Sequence, residues 1–159
     1  MIHPITPCLW FDNQAEEAAL FYTSIFKDSK MEGLTRYTKE GFEHHGQKEG
    51  SVLTVSFQIN RQPFMAMNGG PVFKINEAIS FQVFCDTQEE IDHYWAKLTE
   101  GGQEIECGWL TDKFGVSWQI VPSILPKLLL DPLRAESVTK AFMQMKRFDI
   151  RKLEEAANS

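Results

Sequence analysis

The sequence has no paired cysteines, no basic run, no long apolar stretch and no glycine-rich phosphate turn, and each absence removes a class of function. Cys8, Cys85 and Cys107 are odd in number, far apart and without Cys-x-x-Cys spacing, so neither a disulfide framework nor a zinc knuckle is expected. Each sits in an apolar strand-like run, where a thiol is a small core group, and a reducing, cytoplasmic setting suits all three. A net charge of -6 with no Lys/Arg cluster argues against a nucleic-acid partner, which leaves a basic stripe on the sequences that bind it. No apolar run reaches the roughly 20 residues of a membrane span. Met1-Ile2-His3-Pro4 has no basic region leading into an apolar one, so a soluble, unexported protein without a membrane partner is expected.

What is present is material for one well-packed domain: 159 residues, 43% hydrophobic and 12% aromatic. The informative stretch is Asp112-Lys113-Phe114-Gly115-Val116-Ser117-Trp118-Gln119-Ile120-Val121-Pro122. Gly115 suits a tight turn, after which Val116, Trp118 and Ile120 alternate with Ser117, Gln119 and Val121. That is the period of a strand with one apolar face and one face carrying Gln119.

The chain before it reads as a repeat. Ile5 to Phe11 is a β-rich run, Asp12-Asn13 a cap, and Ala15, Ala18, Ala19, Tyr22, Ile25 and Phe26 recur at helical spacing. Leu34 to Thr38 reads as a strand and Lys39 to Gly50 as a polar loop. Ser51 to Asn60 and Phe64 to Met67 form a hairpin turned by Arg61-Gln62-Pro63. After the breaker Asn68-Gly69-Gly70-Pro71 the pattern restarts. Ser80 to Cys85 is a strand, Asp86-Thr87 a cap, and Ile91, Tyr94, Trp95 and Leu98 a helix stripe ending at Gly101-Gly102. Glu104 to Leu110 and Val116 to Val121 are strands.

One fixed offset pairs Asp12 with Asp86, Gln14 with Gln88, Glu16 with Glu90 and Phe21 with Trp95, so the order strand, capped helix, three strands occurs twice. The expectation is an α+β fold of paired βαβββ modules, about 1–70 and 71–122, forming a curved mixed sheet with helices outside and a concave inner face for a small ligand. The tail, 123–159, reads as two helices, Ser123 to Leu130 and Ser137 to Ala157, separated by Asp131-Pro132. The stripe Val138, Phe142, Met145, Phe148, Ile150 and Leu153 must be buried, either on its own sheet or across a two-fold onto a second copy in a homodimer.

Strand parity selects the candidate site residues. Thr6, Cys8 and Trp10, or Ser80, Gln82 and Phe84, face away from the helices. Gln119 is an amide among aromatic and aliphatic groups; it either bonds Ser80, Gln82 or Ser117 to tie the modules together, or orients a ligand's polar group. Trp10, Phe64, Phe84 and Trp109 would be flat walls, although aromatics at such spacings commonly form core. His44-His45 lies beside Glu40 and Glu43: solvated loop histidines, a lid contacting ligand, or, least favoured, a metal site. His3 says little, and His93 reads as an exposed helix residue.

Thr6-Pro7-Cys8-Leu9-Trp10-Phe11, Ala15-Glu16-Glu17-Ala18, Phe21-Tyr22, Gly69-Gly70-Pro71, Ser80-Phe81, Cys107-Gly108-Trp109-Leu110 and Asp112 to Gln119, in this order, resemble the PhnB-like branch of the vicinal-oxygen-chelate superfamily. That superfamily includes glyoxalase I, bleomycin-resistance proteins and extradiol dioxygenases, and the branch often carries the name 3-demethylubiquinone 3-methyltransferase. The resemblance implies paired βαβββ modules, usually in a dimer. It also implies four inward positions that hold His, Gln or Glu in the metal enzymes. Here those positions look like Thr6, Phe64 or Met65, Ser80 and Gln119, of which Gln119 alone is a plausible ligand, so no metal and no cofactor are expected. The leading expectation is a protein binding a small apolar or aromatic ligand. The alternatives are an enzyme, either the methyltransferase of the family name or a metal-dependent lyase or isomerase of the glyoxalase type, and an interaction module with a filled cup.

Overall fold

The structure, a computed structural model, describes residues 5–159. The chain divides into two compact units, the second running from Asn76 to Ser159. The first contains β1 (Cys8–Phe11), α1 (Ala15–Ile25), β2 (Lys30–Arg36), the single turn α2 (Phe42–His45), β3 (Val52–Ile59) and β4 (Gln62–Asn68). Its sheet has the order β1-β4-β3-β2, with β1 parallel to β4 and the other pairs antiparallel. The second unit repeats the plan with β5 (Ser80–Cys85), α3 (Gln88–Thr99), β6 (Gln103–Glu104), β7 (Trp109–Thr111) and β8 (Ser117–Pro122). Its sheet order is β5-β8-β7-β6, with β5 parallel to β8. Three helices follow: α4 (Leu125–Leu130), α5 (Ala135–Phe142) and α6 (Ile150–Ala157). The fold is therefore α+β, two four-stranded mixed sheets with C-terminal helices.

In the first unit α1 buries Ala15, Ala18, Ala19, Tyr22 and Ile25. The three alanines let the helix approach the sheet closely, and Tyr22 stacks on Phe57, which stacks on Phe64. Each such side chain contributes about 1.5–3 kcal/mol by leaving water. The expected Asp12-Asn13 cap is not the one used. Gln14 is the N-cap and makes no side-chain bond; instead Asn68 Oδ1, at the end of β4, accepts the Ala15 N–H at 2.8 Å. β4 delivers that amide because β1 and β4 are parallel and in register, Phe11 beside Asn68. The second helix follows the sequence: Thr87 accepts the Glu90 N–H at 3.2 Å, and the Glu90 carboxylate accepts the Asp86 N–H at 2.9 Å.

Four of the departures from the expected boundaries have a physical reason visible in the structure. β2 spans Lys30–Arg36 rather than Leu34 to Thr38, because it is an edge strand, almost wholly solvated, whose polar residues hide its period. The hairpin turns at Asn60-Arg61, both at positive φ (46° and 65°), while Gln62 and Pro63 already pair with Ile59 and Gln58. Glu104 to Leu110 is not one strand. Cys107 and Gly108 turn left-handed, at φ 59° and 79°, and donate their N–H groups to Met145 and Lys146 carbonyls at 2.7 Å.

Those bonds also explain the fourth difference, the break in the predicted helix Ser137 to Ala157. Residues 143–149 leave the helix so that the carbonyls of Met145, Lys146 and Phe148 can serve Cys107, Gly108 and the Gln88 side chain. Gln88 Oε1 takes the Ile150 N–H at 2.9 Å, and Asp149 caps α6. The tail thus packs within its own unit, with Val138, Phe148 and Leu153 buried. A Cβ at Gly108 would overlap the Phe148 ring, at a φ that favours glycine. Gly108→Ala is expected to cost about 2–4 kcal/mol in denaturant unfolding. It should also make the 143–149 segment protease-sensitive; unchanged stability and protection would count against this docking.

Candidate functional site

The turn that opens β8 is organised by one buried carboxylate. Asp112, 3% exposed, accepts the N–H groups of Phe114 and Val116 on Oδ1 at 2.9 and 3.0 Å, and the Trp118 indole N–H on Oδ2 at 2.8 Å. Its own N–H donates to the Val116 carbonyl, and Gly115, at φ 84°, closes the turn onto the Asp112 carbonyl. A buried carboxylate is tolerated because charge-assisted donors replace its water. The strand that leaves this turn puts Trp118 and Ile120 into the core with Phe81, whose ring lies 5.4 Å from that of Trp118. Ser117, Gln119 and Val121 take the opposite face.

Register then assembles that face. Gln119 is opposite Trp109 on β7 and beside Gln82 on β5, so Trp109, Gln119 and Gln82 form one row across three strands. The adjacent row is Thr111, Ser117 and Ser80. Gln119 Nε2 donates to Ser80 Oγ at 2.8 Å, and Gln82 Nε2 donates to Gln119 Oε1 at 3.2 Å. Gln119 therefore ties β5 to β8 within the second module, where a tie between modules was expected. Ser117 Oγ is buried with no hydrogen-bond partner.

Of the sequence-derived residues, Ser80, Gln82, Phe84, Trp109, Ser117 and Gln119 thus share a face, and Thr6, Trp10, Phe64 and His44 belong to the first unit. Trp10 is half-buried in the first unit, where its indole N–H donates to the Gly70 carbonyl at 2.9 Å and Phe73 meets it edge-on at 4.9 Å. Gly69 has no space for a Cβ because the Trp10 ring fills it. Phe64 is a correction: at 6% exposure it stacks on Phe57 in the core, and the β4 residue on the face of Cys8 and Trp10 is Met65. Thr6 is exposed ahead of β1. His44 is exposed on α2, and it is His45 that is engaged, accepting the Gln47 N–H on Nδ1 at 2.9 Å with its ring 4.5 Å from Tyr37. His93 is exposed on α3, and His3 lies outside the described residues.

Asp112 and Asn68 were not recognised in the sequence as organising residues. Asp112 had a signal, an Asp three residues before a turn glycine with a Trp three further on. Asn68 had none: besides capping α1 it donates to the Val52 carbonyl at 3.1 Å and accepts the Tyr37 hydroxyl on its own carbonyl, contacts made only after folding.

A family profile described as 3-demethylubiquinone-9 3-methyltransferase matches residues 3–121. The chain belongs to this family. This PhnB-like protein is 37% identical to a PhnB protein from Bacillus cereus described under the same methyltransferase name, with a TM-score of 0.67 over 76% of this chain and 100% of that one. Protein PA1353 from Pseudomonas aeruginosa shares the fold at 20% identity and TM-score 0.60, over 76% of this chain and 98% of that one. So does the fosfomycin resistance protein FosX from Mesorhizobium loti, at 14% and 0.55, over 82% of this chain and 100% of that one. No curated protein matches. The fold is that of the vicinal-oxygen-chelate superfamily.

The residues of this PhnB-like chain do not fit that superfamily's metal. At the positions that the resemblance marks, Thr6 and Met65 in the first unit and Ser80 and Gln119 in the second offer two hydroxyls, a thioether and one amide, each a poor donor for a hard divalent ion. Among the described residues no three His, Cys, Asp or Glu side chains gather to hold one. A nucleotide-like methyl donor fares no better. The strand-to-helix turns Asp12-Asn13-Gln14 and Asp86-Thr87 contain no glycine, and Gly69-Gly70 seats Trp10. Among the described residues no helix is long and apolar enough to cross a membrane.

No thiol is activated. Burial, with Glu90 and Asp86 adding to it, pushes the Cys85 thiol up to about 12, and burial raises Cys8 and Cys107 as well. Because the folded Cys85 holds its proton above the ordinary 9.0, the associated stability is present below pH 9.0 and is lost as pH rises through about 12. At pH 8, iodoacetamide should alkylate native Cys85 about a thousandfold more slowly than the unfolded chain, following the thiolate fraction. Peptide mapping that finds Cys85 labelled at the unfolded rate would contradict this environment.

Proposed function

We propose that this PhnB-like protein binds a small, largely apolar or aromatic molecule on the Gln119 face of its second sheet, without a metal ion. One observation carries the reading: Ser80, Gln119 and Gln82 form a chain of neutral hydrogen-bonding groups, and Trp109 completes the row of Gln119 and Gln82. Gln119 spends one amide hydrogen on Ser80 and one lone pair on Gln82. One hydrogen and one lone pair are left for a ligand. Trp109 supplies a flat, half-exposed wall in the same row, and Phe84, exposed, extends the face. The polar groups orient, and the aromatic groups supply the area that leaves water.

Methyl transfer is the second reading, favoured by the name of the 37% identical Bacillus cereus protein. Thermal shift separates the two, because a ligand that prefers the folded chain stabilises it by about 2.7 kcal/mol at a hundred times its dissociation constant. Manganese, magnesium, zinc and S-adenosylmethionine are each expected to leave the midpoint unchanged. Aromatic fragments that raise it should lose their effect in Trp109→Ala. A saturable shift with S-adenosylmethionine would instead favour the methyltransferase, and one with a divalent ion a metal-dependent lyase or isomerase.

A further inference from the structure

The hydrogen-bond inventory of the Gln119 face says more about the ligand than its size. The two rows and the flanking pair, Ser80, Gln82, Phe84, Trp109, Thr111, Ser117, Gln119 and Val121, contain no charged side chain. These side chains offer a ligand carboxylate or phosphate no cation, and an ammonium or amidine no anion, to replace the water it would lose. What the face does offer is mixed. Gln119 keeps one N–H and one lone pair on a single planar group, and the exposed Gln82 keeps one N–H and its oxygen. Independently, Ser117 Oγ, in the row beside Gln119, is enclosed without a partner. The face thus holds one more polar atom than the protein itself satisfies, and such atoms in folded proteins are usually partnered by something.

We infer that the ligand is a neutral planar molecule presenting a donor and an acceptor side by side, as a lactam, amide or urea edge does, with its ring against Trp109. Gln119 is the specificity residue: its carboxamide matches an edge that both gives and takes a hydrogen bond. This inference rests on the ligand-binding reading above and narrows it from an apolar or aromatic molecule to one chemical class. A site built on a carboxamide discriminates by what it leaves unpaired. An acceptor-only analogue strands one of the Gln119 groups, and a charged analogue also loses its solvation.

The test is a nuclear magnetic resonance titration of the full chain with four probes: 2-quinolone, quinoline, 2-naphthoate and benzamidine. The Gln82 and Gln119 side-chain amide signals and the Trp109 indole signal are followed. The expected result is that 2-quinolone moves all three and binds about tenfold tighter than quinoline, the ratio for one net hydrogen bond. 2-Naphthoate and benzamidine should bind no better than quinoline. In Gln119→Glu, a shape-matched side chain that only accepts, the order should reverse in favour of benzamidine. The Trp118 indole signal, set by its bond to Asp112, reports that the variant is folded. Equal binding of 2-quinolone and quinoline, preference for 2-naphthoate, or an unchanged order in Gln119→Glu would overturn the lactam assignment while leaving ligand binding in place. No movement of Trp109 or Gln119 with any of the four probes would overturn both.

Discussion

The second sheet depends on the buried Asp112 carboxylate. Its oxygens hold two backbone N–H groups of the turn and the indole of the strand that follows, so a single side chain fixes where β8 begins and which way its residues point. From that one register the rest follows: Trp118 and Ile120 go into the core, and Gln119 goes to the opposite face beside Gln82 and opposite Trp109. A carboxylate can do this where a hydroxyl or amide would not, because it accepts on both oxygens at once and its bonds are charge-assisted.

The first unit solves the same problem with a neutral group. Asn68 ends β4, caps α1 across the sheet, and holds Val52 and Tyr37. The two residues after it seat the Trp10 ring, one by having no side chain and the other through its carbonyl. Trp10 is therefore already engaged by its own unit, whereas Trp109 stands in a row with two amides. The two modules repeat in element order and differ in what the faces opposite their helices offer.

The repeat, both helix faces and the alternation in β8 were legible because each is a local period in the sequence. Ala15, Ala18, Ala19 and Tyr22, or Ile91, Trp95 and Leu98, state their buried side without knowledge of the partner. What was not legible was set by distant groups. The break between α5 and α6 is imposed by N–H groups of Cys107 and Gly108 and by the Gln88 side chain, none of them near it in sequence. Phe64 and Met65 are adjacent apolar residues, and only the pairing of Cys8 with Met65 decides which of them enters the core. The Gln119, Gln82 and Ser80 group could be named from parity, but its hydrogen-bond order needed the parallel register of β5 and β8.

Together these features describe a member of the 3-demethylubiquinone-9 3-methyltransferase family whose second sheet carries a neutral hydrogen-bonding group. The proposed function rests on that group, two amides and a hydroxyl that bond one another and carry no charge. The most direct measurement is an anomalous difference map from crystals grown with manganese or zinc. The account predicts no peak within coordination distance of Gln119. A stoichiometric peak bridging Gln119 and Ser80 would contradict it.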